Sequence, residues 1–193
     1  MNPEAAAPQN GKRLFWLDLT HFHKKPEGEV ATLDHQLAQS SAPLLSQAFG
    51  DDPKWLSYFL KHAISGQSVA FVQDNNVLGA CYVSDTNFPT ISAICIDSNW
   101  RRQGWASQLL THSLHRLKTK SFPTVVAHIQ ESNIGSTQLF QNHGFQMVDS
   151  IEQLLRLGRA AGGLQRNCIH YLPNDDSLAV QEACREAQIP FLS

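Results

Sequence analysis

The chain of 193 residues has no apolar run near the ~20 residues that a bilayer-spanning helix needs, so no membrane partner is expected. It also lacks a charge excess. A formal net charge of -2 recruits neither nucleic acid nor an anionic lipid surface, so any cationic site must be local. Cysteine is sparse. Cys81, Cys95, Cys168 and Cys184 form no C-x-x-C pair, and the two in apolar strand-like runs read as small buried hydrophobes. His21-Phe-His23 has no nearby third ligand, so no metal is expected and the pair reads as surface or partly buried. His112 and His115 are expected to face solvent. The first residues lack the charged-then-apolar layout of a signal peptide, which makes a cytoplasmic home the expectation. No internal repeat is present. What the chain does have is 42% apolar and 17% charged residues, a balance that excludes bulk disorder.

Residues 1–12 read as a flexible tail, and 13–193 as a single domain. Leu14–Phe22 is a strand candidate, with Glu29–Leu33 a second, short one. Asp34 is a fitting N-cap for a helical pattern that Pro43 interrupts, leaving either a kinked helix or two short ones. Asp52-Pro53 starts another helix, bearing Trp55, Leu56, Phe59, Leu60 and Ala63 on one face. Ser68–Val72 and Val77–Val83 flank Gln73-Asp-Asn-Asn76, a hairpin signal. Ile91–Ile96 is the next strand, and Trp105–Leu117 has helical apolar spacing. A strand over 124–130 and a helix over 133–142 follow, the helix stopped by Gly144. Phe145–Leu157 reads as a strand or two, Gly158–Gly163 as a flexible connection and Asn167–Leu172 as a last strand. Asp176–Gln188 is a terminal helix.

The chemistry concentrates at Asp97-Ser-Asn-Trp-Arg-Arg-Gln-Gly-Trp-Ala-Ser-Gln-Leu-Leu110, between the strand and the helix. The first amides of a helix have no internal partner, and the helix dipole favours an anion there. Gly104 lets backbone approach a ligand, and Arg101 and Arg102 suit phosphate oxygens. A phosphorylated cofactor is the expected guest.

Two stretches carry a family resemblance. Arg101-Arg-Gln-Gly104-Trp-Ala106 matches the pyrophosphate signature Arg/Gln-x-x-Gly-x-Gly/Ala of the GNAT superfamily of N-acetyltransferases. Asn133-x-x-Ser136-x-x-Leu139-Phe140-x-x-x-Gly144-Phe145 is similar to the same family's later signature. The match is best over 91–147. It implies an α/β (mixed α+β) GNAT fold, with a central, mostly antiparallel mixed sheet flanked by helices and splayed near the glycine turn. It also implies acetyl-CoA, or another acyl-CoA, as co-substrate. The backbone of Ile94, Cys95 and Ile96 would pair with the pantetheine arm. Amides from Arg102, Gln103, Gly104, Trp105, Ala106 and Ser107 would hold the pyrophosphate, with Arg101 beside them. Asn133 and Phe140 would meet the cofactor arm.

The sequence departs from the family in two places. Phe140 stands where many members place the Tyr that protonates the departing thiolate. No Glu occurs between Gln73 and Trp100 to act as the strand-borne base. His128 is the best remaining base, because an imidazole titrates near neutrality, with Tyr82 and Glu131 behind it. Cys95 is a conceivable acyl carrier, though its strand context favours packing. The implied activity is acetyl transfer from acetyl-CoA to a primary amine, on a small molecule or a peptide, by direct attack. The alternatives are a GNAT-like binding or regulatory protein, transfer to a thiol, and a longer acyl group. A homodimer is left open.

Overall fold

The computed structural model describes residues 11–51, 54, 57–59, 66–84, 88–172 and 177–192. The chain divides into two compact units, one formed by residues up to Thr20 together with Pro123 onward, the other by His21–Phe122.

In the His21–Phe122 unit, strands β2 (Ala31–Thr32), β3 (Val69–Gln73), β4 (Asn76–Ser84) and β5 (Thr90–Ile96) pair antiparallel in that order. The β3–β4 hairpin turns on Asp74 and Asn75, both at positive φ (50° and 64°), a conformation that Asp and Asn tolerate well. Two register shifts shape the strands. Leu78 is the extra residue opposite β3, and Ser92 the extra residue opposite β4. Such bulges bend a strand and re-aim its side chains.

Both faces of these strands are covered. Helices α1 (His35–Ser40) and α2 (Ala42–Phe49), with Leu33 just before them, cover one through Leu33, Ala38, Leu44 and Leu45, in one core with Ala70, Ala80, Tyr82, Ala93 and Cys95. The Pro43 ambiguity resolves as two helices. Asp34 caps the first by accepting from the Leu37 amide at 2.8 Å, and Ser41 joins the two, with Pro43 in the first turn of the second. Helix α3 (Trp105–Thr119) covers the other face with Leu109, Leu110, Leu114 and Leu117, all fully buried. It approaches closely because Gly79 on β4 has no side chain. A Cβ there would lie 2.7 Å from Ile96 Cδ1 and 3.1 Å from Leu109 Cδ1. The segment before β2 is strapped to α3 by Lys118 Nζ on the Phe22 carbonyl (2.6 Å) and His112 Nε2 on the Glu27 carbonyl (3.0 Å). His112 is therefore half-buried, against the expectation of a solvent-facing ring, whereas His115 is exposed, as are His21 and His23.

In the other unit, β1 (Lys12–Asp18) lies between β6 (Thr124–Gln130) and β7 (Gln146–Met147), antiparallel to both. Leu14–Leu17 is buried at every position, as in a strand covered on both faces. The strand ends at Asp18, whose carboxylate accepts from the Thr20 amide at 2.9 Å. Of the expected tail, Lys12 already opens β1, and residues 1–10 lie outside those described.

Helix α4 (Ile134–Asn142) ends at Gly144 (φ 88°) as expected. Beyond it, the expected strands over Phe145–Leu157 and Asn167–Leu172 are wrong. Only Gln146–Met147 is extended, and α5 (Ile151–Ala161) follows, capped by Ser150 and buried at Leu154, Leu157 and Gly158. That spacing is helical. Arg166–Tyr171 is a 3-10 turn. Gly158 belongs to α5 rather than to a flexible link, since a Cβ there would meet Ile189 Cγ2 at 2.8 Å. Helix α6 (Ser177–Glu186) and the parallel pair β8 (Leu164–Gln165) with β9 (Phe191–Leu192) complete the unit.

Leu114→Ala opens a cavity under α3 and is expected to cost about 2–5 kcal/mol in urea unfolding. Leu178→Ala, at a position 74% exposed, should stay within about 0.5 kcal/mol of the natural chain.

Candidate functional site

The turn between β5 and α3 is built in steps. Strand β5 alternates buried (Ile91, Ala93, Cys95) with half-buried residues (Ser92, Ile94, Ile96). Cys95 points into the core, where burial pushes its thiol up to about 12, which disfavours the thiolate that an acyl carrier needs. Asp97 then accepts from the Asn99 amide at 2.9 Å and starts a short 3-10 turn, Ser98–Trp100. Arg101 folds back, its Nε donating to the Ile96 carbonyl at 3.0 Å, and Gln103 Nε2 donates to the Asn99 carbonyl at 3.4 Å. Arg101, Arg102, Gln103 and Gly104 are all exposed.

Two residues of this turn are left-handed, Arg102 at φ 63° and Gly104 at φ 86°. Gly104 is the N-cap of α3 and has no side chain with which to accept from a first-turn amide, as Ser, Thr, Asp or Asn would. No acidic side chain stands in the first turn to neutralise the dipole. A Cβ on Gly104 would meet nothing within 4 Å. The space above the turn is open, and glycine is required there by its backbone angle. The arrangement can bind an anion through backbone amides, a helix N-terminus and two guanidinium groups.

The left-handed Arg102 costs about 1–2 kcal/mol, and the turn needs something to hold it. Phe71 of β3 supplies contacts on both sides. Trp105 stacks on it, with centroids 3.8 Å apart and planes 14° from parallel, and Trp100 meets its edge at 5.9 Å. Each such pair contributes about 0.5–1.5 kcal/mol, so two together are on the scale of the strain. Phe71 was not a sequence candidate. Two tryptophans five residues apart around the glycine turn were the available signal, but nothing local links them to a residue on the hairpin.

The proton-handling candidates lie on other elements, Tyr82 on β4, His128 on β6 and Glu131 just after β6. Tyr82 is buried in the His21–Phe122 unit, its hydroxyl bonded to Ser41 Oγ at the α1–α2 junction. Burial raises its pKa above the ordinary tyrosine value despite that bond. In the other unit, Glu131 pairs with Arg13 Nε at 2.5 Å. Asn133 accepts from the Ser136 amide at 3.0 Å as N-cap of α4. Phe140 is buried and meets Phe145 edge-on at 4.9 Å. His128 stacks on Tyr171, with centroids 4.8 Å apart and planes 16° from parallel. Burial, then the Lys12 charge, pushes its pKa down to about 4. Solvent on the ring's open face moderates that drop, and the direction favours a neutral imidazole. Among the described residues no cluster of three or more His, Cys, Asp or Glu could hold a metal, and no helix is long and apolar enough to cross a membrane.

A His128 pKa held below its ordinary 6.5 means that folding disfavours its proton. The stability it contributes is full above the ordinary value and is lost as pH falls toward about 4. His128→Phe keeps the stack on Tyr171 without a titrating group. Its urea midpoint should fall less steeply than that of the natural chain between pH 6.5 and 4, and parallel profiles would contradict the assignment.

A family model described as Acetyltransferase (GNAT) family matches residues 33–145, more than half of the chain. Among solved structures, the chain is similar to a GCN5-related N-acetyltransferase from Sphaerobacter thermophilus (TM-score 0.60, 18% identity, 71% of this chain and 48% of that one). It is also similar to an acetyltransferase of the GNAT family from Colwellia psychrerythraea (TM-score 0.57, 14% identity, 71% and 53%). A third is an aminoglycoside N-acetyltransferase in complex with CoA (TM-score 0.54, 15% identity, 66% and 95%). The chain spans about half the length of the first two. No curated protein sequence matches it significantly. The structural likenesses show the fold, in which mainly antiparallel mixed strands are flanked by helices, and the family match shows membership: this chain belongs to the GNAT acetyltransferase family.

Proposed function

We propose that this chain binds acetyl-CoA, or another acyl-CoA, through the turn between β5 and α3, and transfers the acyl group to a primary amine. The observation that carries the proposal is the Arg101–Ala106 turn, with left-handed backbone at Arg102 and Gly104, an uncapped helix start and open space above it. A diphosphate matches that set of donors. The pantetheine arm is assigned to the backbone of Ile94–Ile96. One structural relative is in complex with CoA and bears an aminoglycoside acetyltransferase name, which supports an amine acceptor, on a small molecule or a peptide.

In the reaction, a neutral amine attacks the thioester carbonyl, the C–N bond forms and the tetrahedral adduct expels CoA thiolate. The nitrogen gives up one proton and the thiolate takes one. Of the three residues considered for this, Tyr82 is tied to Ser41 and Glu131 to Arg13, which leaves His128 as the base we retain. It is neutral at pH 7, and its lowered pKa makes it a weak base. Most of the rate is therefore assigned to holding the two substrates in reacting geometry.

A second reading is favoured by one specific feature. Phe140, at the usual Tyr position, has no proton to donate and is buried, which suits a protein that binds acyl-CoA without turning it over. Incubation with acetyl-CoA and a panel of amines separates the two. Sustained amine-dependent CoA release is the expected result, and His128→Ala should lower the rate by about 10- to 10²-fold between pH 6 and 9. Tight CoA binding with no release selects the binding protein. No binding of CoA sinks both.

A further inference from the structure

Phe71 lies on β3, about thirty residues before the glycine turn. Yet it meets the turn at both ends, Trp100 just before the two arginines and Trp105 just after Gly104. Its partner across the hairpin is Gly79, the residue that lets α3 lie against Ile96. Phe71 therefore fills the α3-facing side of the hairpin beside a position that has no side chain, and the first helical residue packs flat on it. The indole Nε1 of Trp105 is buried and has no hydrogen-bond partner. Ring contact, not a polar anchor, fixes this side chain.

We propose that Phe71 is a positioning residue for the cofactor. By holding Trp100 and Trp105 on one ring, it keeps the left-handed turn at Arg102 and Gly104 in the shape that presents amides to a diphosphate. This rests on the acyl-CoA reading above. Without the ring, the turn is free to relax toward ordinary backbone angles, and binding must then restore the shape. The effect falls on affinity for the cofactor and not on the transfer step, because Phe71 reaches the reacting atoms only through the turn.

The test compares the full chain with Phe71→Leu, which keeps apolar volume but removes the ring, and Phe71→Tyr, which keeps the ring. Calorimetric titration with coenzyme A should show Phe71→Leu weakened about tenfold, equivalent to about 1.4 kcal/mol. Phe71→Tyr should return to within about twofold of the natural chain. Where turnover is measured, the KM for acetyl-CoA should rise about tenfold in Phe71→Leu while kcat stays within about threefold. A folded Phe71→Leu chain with unchanged coenzyme A affinity overturns the inference. So does failure of the Tyr variant to rescue, or a fall in kcat with KM unchanged. If Phe71→Leu does not fold, Trp100→Leu, which removes one of the two contacts, is judged on its affinity and KM in the same way. Failure of the natural chain to bind coenzyme A overturns the functional reading and this inference with it. Binding by the natural chain with Phe71→Leu unaffected overturns this inference alone.

Discussion

The chain must reverse direction between β5 and α3 through two left-handed residues, Arg102 and Gly104, and this constraint organises the His21–Phe122 unit. A left-handed arginine is unfavourable on its own, and it persists because its surroundings leave little alternative. Helix α3 is locked down by four fully buried leucines, each worth about 1.5–3 kcal/mol of burial, far more than the strain of one residue. Gly79 allows the helix to sit at that depth, and Phe71 holds the turn from below. The helix then starts at a glycine with open space at its Cβ position, and no acidic side chain stands in the first turn to answer the dipole. Packing of the apolar face thus maintains an unsatisfied polar end, which is the physical basis of the proposed anion site.

The candidate catalytic groups are less developed than the proposed binding turn. Tyr82 and Glu131 each have a structural partner, Phe140 has no ionisable group, and His128 stacks on Tyr171 with its pKa lowered by burial and by Lys12. A chain of this kind can still promote acyl transfer, because juxtaposing an amine and a thioester removes much of the barrier before any proton moves. The same features would serve a protein that only senses acyl-CoA. The two differ in whether an amine reaches the thioester, not in how the diphosphate is held.

The glycine turn, α3, the β3–β4 hairpin and the Gly144 stop of α4 were legible in the sequence because each rests on local chemistry: a turn residue, a cap, or a 3.6-residue apolar period. The stretch after Phe145 was misread. Its buried residues at 154, 157 and 158 fit a helix capped by Ser150, but the apolar residues from Phe145 to Val148 just before it favour a strand. Arg166–Tyr171 buries adjacent residues, Cys168 and Ile169, in a tight turn that resembles a strand in one dimension. Phe71 and the Ser41–Tyr82 bond were not legible at all. They join positions some thirty to forty residues apart, and no periodicity announces such a pair. His112 was read as solvent-facing for the same reason, since its partner is the distant Glu27 carbonyl.

The most direct test of the central claim is an amide-resolved NMR titration of the chain with coenzyme A. The largest shifts are expected at the amides of Arg102 through Ser107, with smaller ones at Ile94–Ile96. Saturable binding whose shifts leave Arg102–Ser107 unmoved would contradict the account.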